Sequence, residues 1–362
     1  MLVSGSPWAG RRVLITGHTG FKGGWLSLWL HALGAEVTGF ALPAPSGPSF
    51  FEQVRLGELV THVQGDVRDL DAVAAVVKDA RPEVVFHLAA QPLVRLSYAE
   101  PVETYATNVM GTVNLLEACR SATYLRGVVC VTSDKCYENR EWVWPYRESD
   151  PMGGYDPYSS SKGAAELVVA AYRRSYFKEG ARIASVRAGN VIGGGDWALD
   201  RLVPDIIRAL LAGEAPEIRN PNSVRPWQHV LDALSGYLLV AERLVDGGGE
   251  AACGWNFGPA DDDTQPVGWI VEQMLKQWGG SRQWIRPEGA QPHEAVLLKL
   301  DSSKARTDLG WQPRLRLKEA LANVVEWHSQ VAHGADARSV SLRQLAKYEG
   351  WNDLVISQAQ AA

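Results

Sequence analysis

Cysteine is scarce in this chain: 362 residues hold four, Cys119, Cys130, Cys136 and Cys253, and no two form a C-x-x-C pair. With the first three in or beside apolar segments, they read as buried free thiols in a reducing cytosol. No block of basic residues occurs and the net charge is −5, which argues against a nucleic-acid surface. No apolar stretch is long enough to span a bilayer, and the opening MLVSGSPWAGRR has no apolar core of the kind a signal peptide needs. A cytoplasmic protein without a membrane partner is the expectation. His31, His62 and His328 show no metal-ligand spacing, so no metal is expected. Internal repeats and low-complexity segments are also missing. What is present is ordinary for a soluble globular protein, 46% hydrophobic and 21% charged, and long enough for two domains.

Short β-rich runs alternate with helical patterns. The strands are expected at Val13–Thr16, Glu36–Leu42, Val60–Gln64, Val84–Leu88, Gly127–Thr132 and Ile183–Arg187. Helical periodicity covers Lys22–Leu33, Asp69–Lys78, Val102–Ser121 and Tyr158–Phe177, then Val230–Leu244, Val267–Trp278 and Lys318–His328. This alternation predicts an α/β fold, a Rossmann-type doubly wound parallel sheet. After Arg187 the rhythm breaks into AGNVIGGGDW and IRNPNSVRPW. We therefore expect residues 1–190 to form a dinucleotide-binding domain, which also receives segments near 225–258. Residues 191–362 would mainly form a smaller mixed α/β, substrate-binding portion.

Three stretches carry chemistry. GHTGFKGG follows the first strand and opens a helix, with Gly17, Gly20 and Gly23 spaced G-x-x-G-x-x-G. Such glycines let the backbone approach a pyrophosphate, while the helix N-terminus offers N–H groups and a favourable dipole. A tight strand-to-helix turn is the plainer alternative. Tyr158 and Lys162 in YSSSK lie four apart, on one helical face. A free phenol ionises near ~10, and an adjacent ammonium can lower that value. The third stretch, VTSDKCY, places Ser133, Asp134 and Lys135 where an apolar strand leaves the core, with no turn glycine between them.

Together with HLAAQPLVRLSY, TNVMGT, PMGGYDPYSSSK, RAGNVIGGGDW, RPWQHV and LGW, in that order, these motifs resemble the extended short-chain dehydrogenase/reductase family, and within it the nucleotide-sugar 4,6-dehydratases. The resemblance spans nearly the whole chain. It implies NAD as cofactor, a nucleotide sugar as substrate with CDP-glucose foremost, and a homodimer or higher homo-oligomer formed through Val102–Ser121 and Tyr158–Phe177. It also implies a place in dideoxyhexose synthesis for bacterial lipopolysaccharide. Such enzymes oxidise the sugar at C4, eliminate water across C5 and C6, and return the hydride to C6. Tyr158 would be the C4 base, Lys162 would lower its pKa and hold the nicotinamide ribose, and Ser133 would bond the same sugar oxygen. Asp134 would protonate the departing C6 hydroxyl. Lys135 stays open between a C5 base, a cation beside the developing enolate, and a simple ion-pair partner of Asp134.

Further contacts follow from the resemblance alone. Thr19, Phe21 and Lys22 join the glycines around the cofactor, as do Ala89 and Ala90, while Asp66 and Val67 match an adenine-contacting pair. Asn108, Asn190, Arg219, Arg225 and His293 match substrate positions; His293 pairs with Glu294 in QPHEA. Trp142, Trp144 and Trp197 flank the site, with packing as their default role. One departure stands out: Pro43 occupies the end of the second strand, where NAD-binding relatives carry a ribose-binding carboxylate. A 4,6-dehydratase for another nucleotide sugar, a 4-epimerase and a non-catalytic cofactor-binding regulator are the competing readings. The epimerase leaves Asp134-Lys135 unexplained, and the regulator leaves Ser133, Tyr158 and Lys162 to coincidence.

Overall fold

The computed structural model describes residues 5–45, 47–279, 283–286 and 298–351. Six strands follow the expected alternation: β1 (Arg12–Thr16), β2 (Glu36–Ala41), β3 (Thr61–Gln64), β4 (Val84–His87), β5 (Gly127–Val131) and β6 (Arg182–Ala188). β7 (Asn190–Ile192), β8 (Val224–His229), β9 (Gly254–Phe257) and β10 (Thr264–Pro266) follow. The main sheet runs β3-β2-β1-β4-β5-β6-β9 with every pairing parallel. In register, Thr16 faces His87 and Cys130 faces Ser185, so the strand ends share one edge. In open α/β sheets ligands bind in the crevice outside that carboxyl edge.

The helices are α1 (Phe21–Ala32), α2 (Phe50–Gln53), α3 (Leu70–Ala80), α4 (Val94–Ala99), α5 (Pro101–Tyr105), α6 (Gly111–Cys119), α7 (Pro157–Ser175), α8 (Leu202–Ala212), α9 (Val230–Val245), α10 (Val267–Trp278), α11 (Leu317–Ala332) and α12 (Ala337–Glu349). The central strands are apolar on both faces because both are covered. Leu14, Val85 and Val128 point toward α3, α6 and α7. Val13, Ile15, Phe86 and Val129 point the other way, into a core with Trp25 and Trp29 of α1 and Leu234 and Tyr237 of α9.

One expected helix is interrupted. Between α5 and α6 the chain makes a π-helical turn, Ala106–Met110, which turns Asn108 inward. Its side chain then meets Gln91 and Ser161, a tertiary demand that periodicity does not carry. The smaller mixed portion is present as the sheet β10-β8-β7, with β8 antiparallel to β10 and parallel to β7. Its core joins Ile206 and Ile207 of α8, Ile270 and Met274 of α10, and Leu321 and Val324 of α11.

Candidate functional site

The turn after β1 is built from backbone. The Gly17 N–H donates to the Phe40 carbonyl at 2.9 Å with φ at +78°. A Cβ on Gly17 would lie 2.6 Å from the Ala89 nitrogen, and one on Gly23 would lie 2.2 Å from the Gly17 oxygen. Gly20 caps α1 without a side chain, so nothing from the cap occupies the first-turn N–H groups. Thr19 Oγ1 donates to the Leu42 carbonyl at 3.0 Å, and Phe21 packs against Gly193. This close-set, side-chain-free cradle fits the diphosphate of a dinucleotide. His18 leaves the turn sideways: its ring lies over Gly39, and its Nε2 is 2.7 Å from His62 Nδ1.

The turn after β5 is built from side chains. Ser133 is extended and caps a single 3₁₀ turn, Asp134–Cys136. Its Oγ accepts from the Lys135 N–H at 3.3 Å and donates to Asp134 Oδ1 at 2.9 Å. The other Asp134 oxygen faces Gly189, where a Cβ would approach within 3.1 Å. Burial raises the Asp134 pKa, against the pull of Lys135, Ser133 and Arg225. A carboxyl so placed keeps its proton more readily than a free one, as a general acid requires.

Helix α7 brings the phenol and the ammonium. Asp156 caps it by accepting from Ser159 N–H at 2.9 Å, and Pro157 occupies its first position. Burial pushes Tyr158 up to about 12; interaction with Ser133 and the Arg201 charge pull it down. Lys162 lies one helical turn on. Its Nζ reaches back 3.4 Å to the Val131 carbonyl, and burial lowers it to about 8. Lys22 faces the same space from α1, held down to about 7 by burial and by Lys162 and Arg201, while Asp134 and Asp196 pull it up. Arg201 and Asp196, 3.3 Å apart, are absent from the sequence reading. The sequence signal for this pair is short: Asp196 stands in GGGDW and Arg201 follows five residues later. Lys22, Lys135 and Arg225 thus bring positive charge to Asp134, and Lys162 and Arg201 act on Lys22, a setting suited to an anionic ligand.

The remaining residues divide. Arg225, on β8, is close enough for its charge to act on Asp134, and Asn190 starts β7 opposite Trp227. Asn108 uses its amide on the protein: it accepts from Gln91 N–H at 2.8 Å and donates to the Gln91 carbonyl and Ser161 Oγ. Asp66 pairs with Arg68, while Val67 is buried against Gly111. Ala89 backs Gly17, and Ala90 follows it half-buried. Arg219 lies 4.0 Å from Asp200, and its neighbour in charge, Arg95, donates to the same carboxylate at 2.8 Å. His293 and Glu294 lie outside the described residues. Trp197 donates to Gln53 Oε1 and packs on His328, Trp142 stacks on Tyr146, and Trp144 is exposed.

Comparison with known proteins bears on this arrangement. The model of the family described as GDP-mannose 4,6 dehydratase matches residues 14–324. The chain is 55% identical over 347 residues to CDP-glucose 4,6-dehydratase of Salmonella typhimurium, covering 94% of this chain and 97% of that protein. It is 31% identical over 326 residues to UDP-glucose 4-epimerase of Mycolicibacterium smegmatis, covering 87% and 98%. Among solved structures, MoeE5 in complex with UDP-glucuronic acid and NAD superposes with a TM-score of 0.74 at 27% identity, covering 88% of this chain and 99% of that one. With the glycine cradle, the Ser-Asp-Lys turn and the Tyr-Lys helix converging on one sheet edge, the chain belongs to the GDP-mannose 4,6 dehydratase family of nucleotide-sugar enzymes.

Proposed function

We propose that this protein is an NAD-dependent lyase that converts CDP-glucose to CDP-4-dehydro-6-deoxyglucose and water. The carrying observation is a buried carboxyl, Asp134, that shares one turn with Ser133 and lies close enough to Tyr158 of α7 for its charge to act on the phenol. The 55% identity to a CDP-glucose 4,6-dehydratase supports the substrate. The cradle of Gly17, Gly20 and Gly23 would hold NAD, which when bound would supply hydride acceptance at C4 and hydride return at C6.

The chain's own part is proton management. Tyr158 takes the proton from the 4-hydroxyl, with Ser133 bonding the same oxygen. The resulting ketone acidifies C5–H, and Lys135, half-buried beside the site, is placed to remove that proton or to stabilise the enolate. Asp134 protonates the departing C6 hydroxyl. Asn190, Arg225 and Arg219 hold the nucleotide sugar, and Lys162 holds the nicotinamide ribose. Residues 1–190 with β9 serve the cofactor, and the β10-β8-β7 portion serves the substrate.

The reading includes a homodimer, which features of the surface support. Val102, Met110 and Leu167, on the α5–α6 and α7 segments, are 81%, 51% and 62% exposed, and apolar side chains on such faces support helix pairing between two copies. Among the described residues no helix is long and apolar enough to cross a membrane. We assign the enzyme to the cytoplasm and its product to bacterial surface-sugar synthesis.

The test is incubation with NAD and a panel of nucleotide glucoses, read by mass spectrometry for loss of water. CDP-glucose is expected to react fastest. A clear preference for the UDP, dTDP or GDP form overturns the assignment, and a C4-inverted sugar without loss of water favours the epimerase.

A further inference from the structure

Behind the catalytic turn lies a closed polar network for which proton transfer has no direct use. Glu166 sits one helical turn beyond Lys162 on α7 and is 4% exposed. Its Oε1 accepts from Thr132 Oγ1 at 2.5 Å and from Arg187 Nε at 2.8 Å. Its Oε2 accepts from Ser185 Oγ at 2.6 Å and from Arg187 Nη2 at 2.8 Å. Arg187 continues through Nη1 to the Tyr137 hydroxyl, which donates to Asn256 Oδ1 at 2.7 Å. Thr132 directly precedes Ser133, and Tyr137 directly follows Cys136. One carboxylate therefore fixes both ends of the turn, the first directly and the second through Arg187.

The same helix touches the turn by shape. A Cβ on Gly163, next to Lys162, would lie 2.5 Å from the Gly153 oxygen and 3.1 Å from the Cys136 oxygen. The Gly153 N–H in turn donates to the Cys136 carbonyl at 2.9 Å. Stability does not account for the ion pair. A buried Arg–Glu pair replaced by apolar side chains of similar volume is often neutral or stabilising. What an apolar pair cannot do is aim four donors at one point.

We propose that Glu166 is a positioning residue: with Arg187 it holds the Thr132–Tyr137 segment against α7, so that Asp134 and Lys135 face the same sugar ring as Tyr158 and Lys162. This rests on the dehydratase reading for its kinetic consequence. C4 oxidation uses Tyr158 and Lys162 of α7 with one turn group, Ser133, whereas elimination depends on two turn groups, Asp134 and Lys135. A shift of about 1 Å in such groups costs about a hundredfold in rate.

Two variants test it, Glu166→Gln and the double variant Glu166→Gln/Arg187→Met, which leaves no unpaired buried cation. Hydrogen exchange followed by mass spectrometry should show the amides of residues 133–137 exchanging at least about tenfold faster in both, with β5 and the middle of α7 unchanged. In single turnover, elimination should slow about a hundredfold per folded molecule, C4 oxidation should slow less than about tenfold, and KM should stay within about threefold. The double variant should regain thermal stability without regaining elimination. If elimination returns with stability, Glu166 is merely structural and the proposal fails. Unchanged exchange at 133–137 in both variants also overturns it, whatever substrate the wild-type protein turns over.

Discussion

Two turns leave the same edge of the sheet, one after β1 and one after β5, and they are made in opposite ways. The first is defined by missing atoms: Gly17 and Gly23 exclude a Cβ because backbone lies 2.6 and 2.2 Å from where it would sit. The second contains no glycine and holds its shape by side chains, from Ser133 bridging Asp134 and Lys135 to the Glu166 network behind it. A cradle for a diphosphate needs room and N–H groups, which a short local pattern can specify. A turn that moves two protons needs fixed carboxyl and amine positions in a dry place, which only partners distant in sequence can supply. The first turn should therefore fail by collision and the second by loss of single atoms.

The sharpest break of that contrast falls on the partner of the second turn. Tyr158→Phe removes one oxygen and leaves a buried ring in place. C4 oxidation should fall by about 10³–10⁴ while CDP-glucose affinity is kept. Single-turnover absorbance of the reduced nicotinamide measures it, and a normal transient would move the base elsewhere. Asp134→Asn removes only a proton donor, so elimination should fall by about 10²–10³ while C4 oxidation proceeds. Reduced cofactor then accumulates. Wild-type product formation by this variant would exclude Asp134 as the acid.

In the first turn, Gly23→Ala adds one carbon where none fits. Backbone must shift around Gly17, at about 1–3 kcal/mol, and NAD affinity should drop by up to about a hundredfold. Calorimetric titration with NAD reads this directly. Wild-type affinity would mean that the cradle is looser than its contacts imply.

Tyr158 and Lys162 give the contrast a pH signature. With the phenol near 12, the phenolate fraction grows about tenfold per pH unit across the neutral range. Lys162, lowered to about 8, loses its charge above that pH. If C4 oxidation needs the phenolate and the ammonium together, its rate should climb with pH and stop climbing near 8. Lys162→Met should be slower and show no break there. A wild-type rate that still climbs steeply at pH 9 would show that the lysine charge is not required.

The uneven legibility of the sequence has the same physical origin. Apolar strands buried on both faces and the spacing of Gly17, Gly20 and Gly23 are local signals, and the six strands and the cradle follow from them. Ser133, Asp134, Tyr158 and Lys162 were legible as residues through their neighbours in sequence. Their electrostatics were less so, because Arg201, from the start of α8, also acts on the phenol. The π-turn at Asn108 and the Glu166–Arg187 pair were invisible for the same reason: each answers to contacts between distant segments.

The smallest expected effect concerns what the first turn lacks. At the end of β2, Leu42 is 54% exposed, and its carbonyl accepts from Thr19 Oγ1 at 3.0 Å. Pro43 follows, exposed and without a side-chain acceptor, where a carboxylate would otherwise bond the adenosine ribose. The next acidic side chain, Glu52, belongs to α2. If the cradle works by shape alone, NAD is held without that bond, and adding it should tighten binding. A charged hydrogen bond in a buried site contributes about 1.5–3 kcal/mol, but exposure at Pro43 lowers this to about 1 kcal/mol, or about fivefold in affinity. Calorimetric titration of NAD into the Pro43→Asp variant checks the number. Fivefold tighter binding would show that the cradle gains from a side chain when one is offered. Equal or weaker binding by a well-folded variant would show that the ribose is already anchored by other groups.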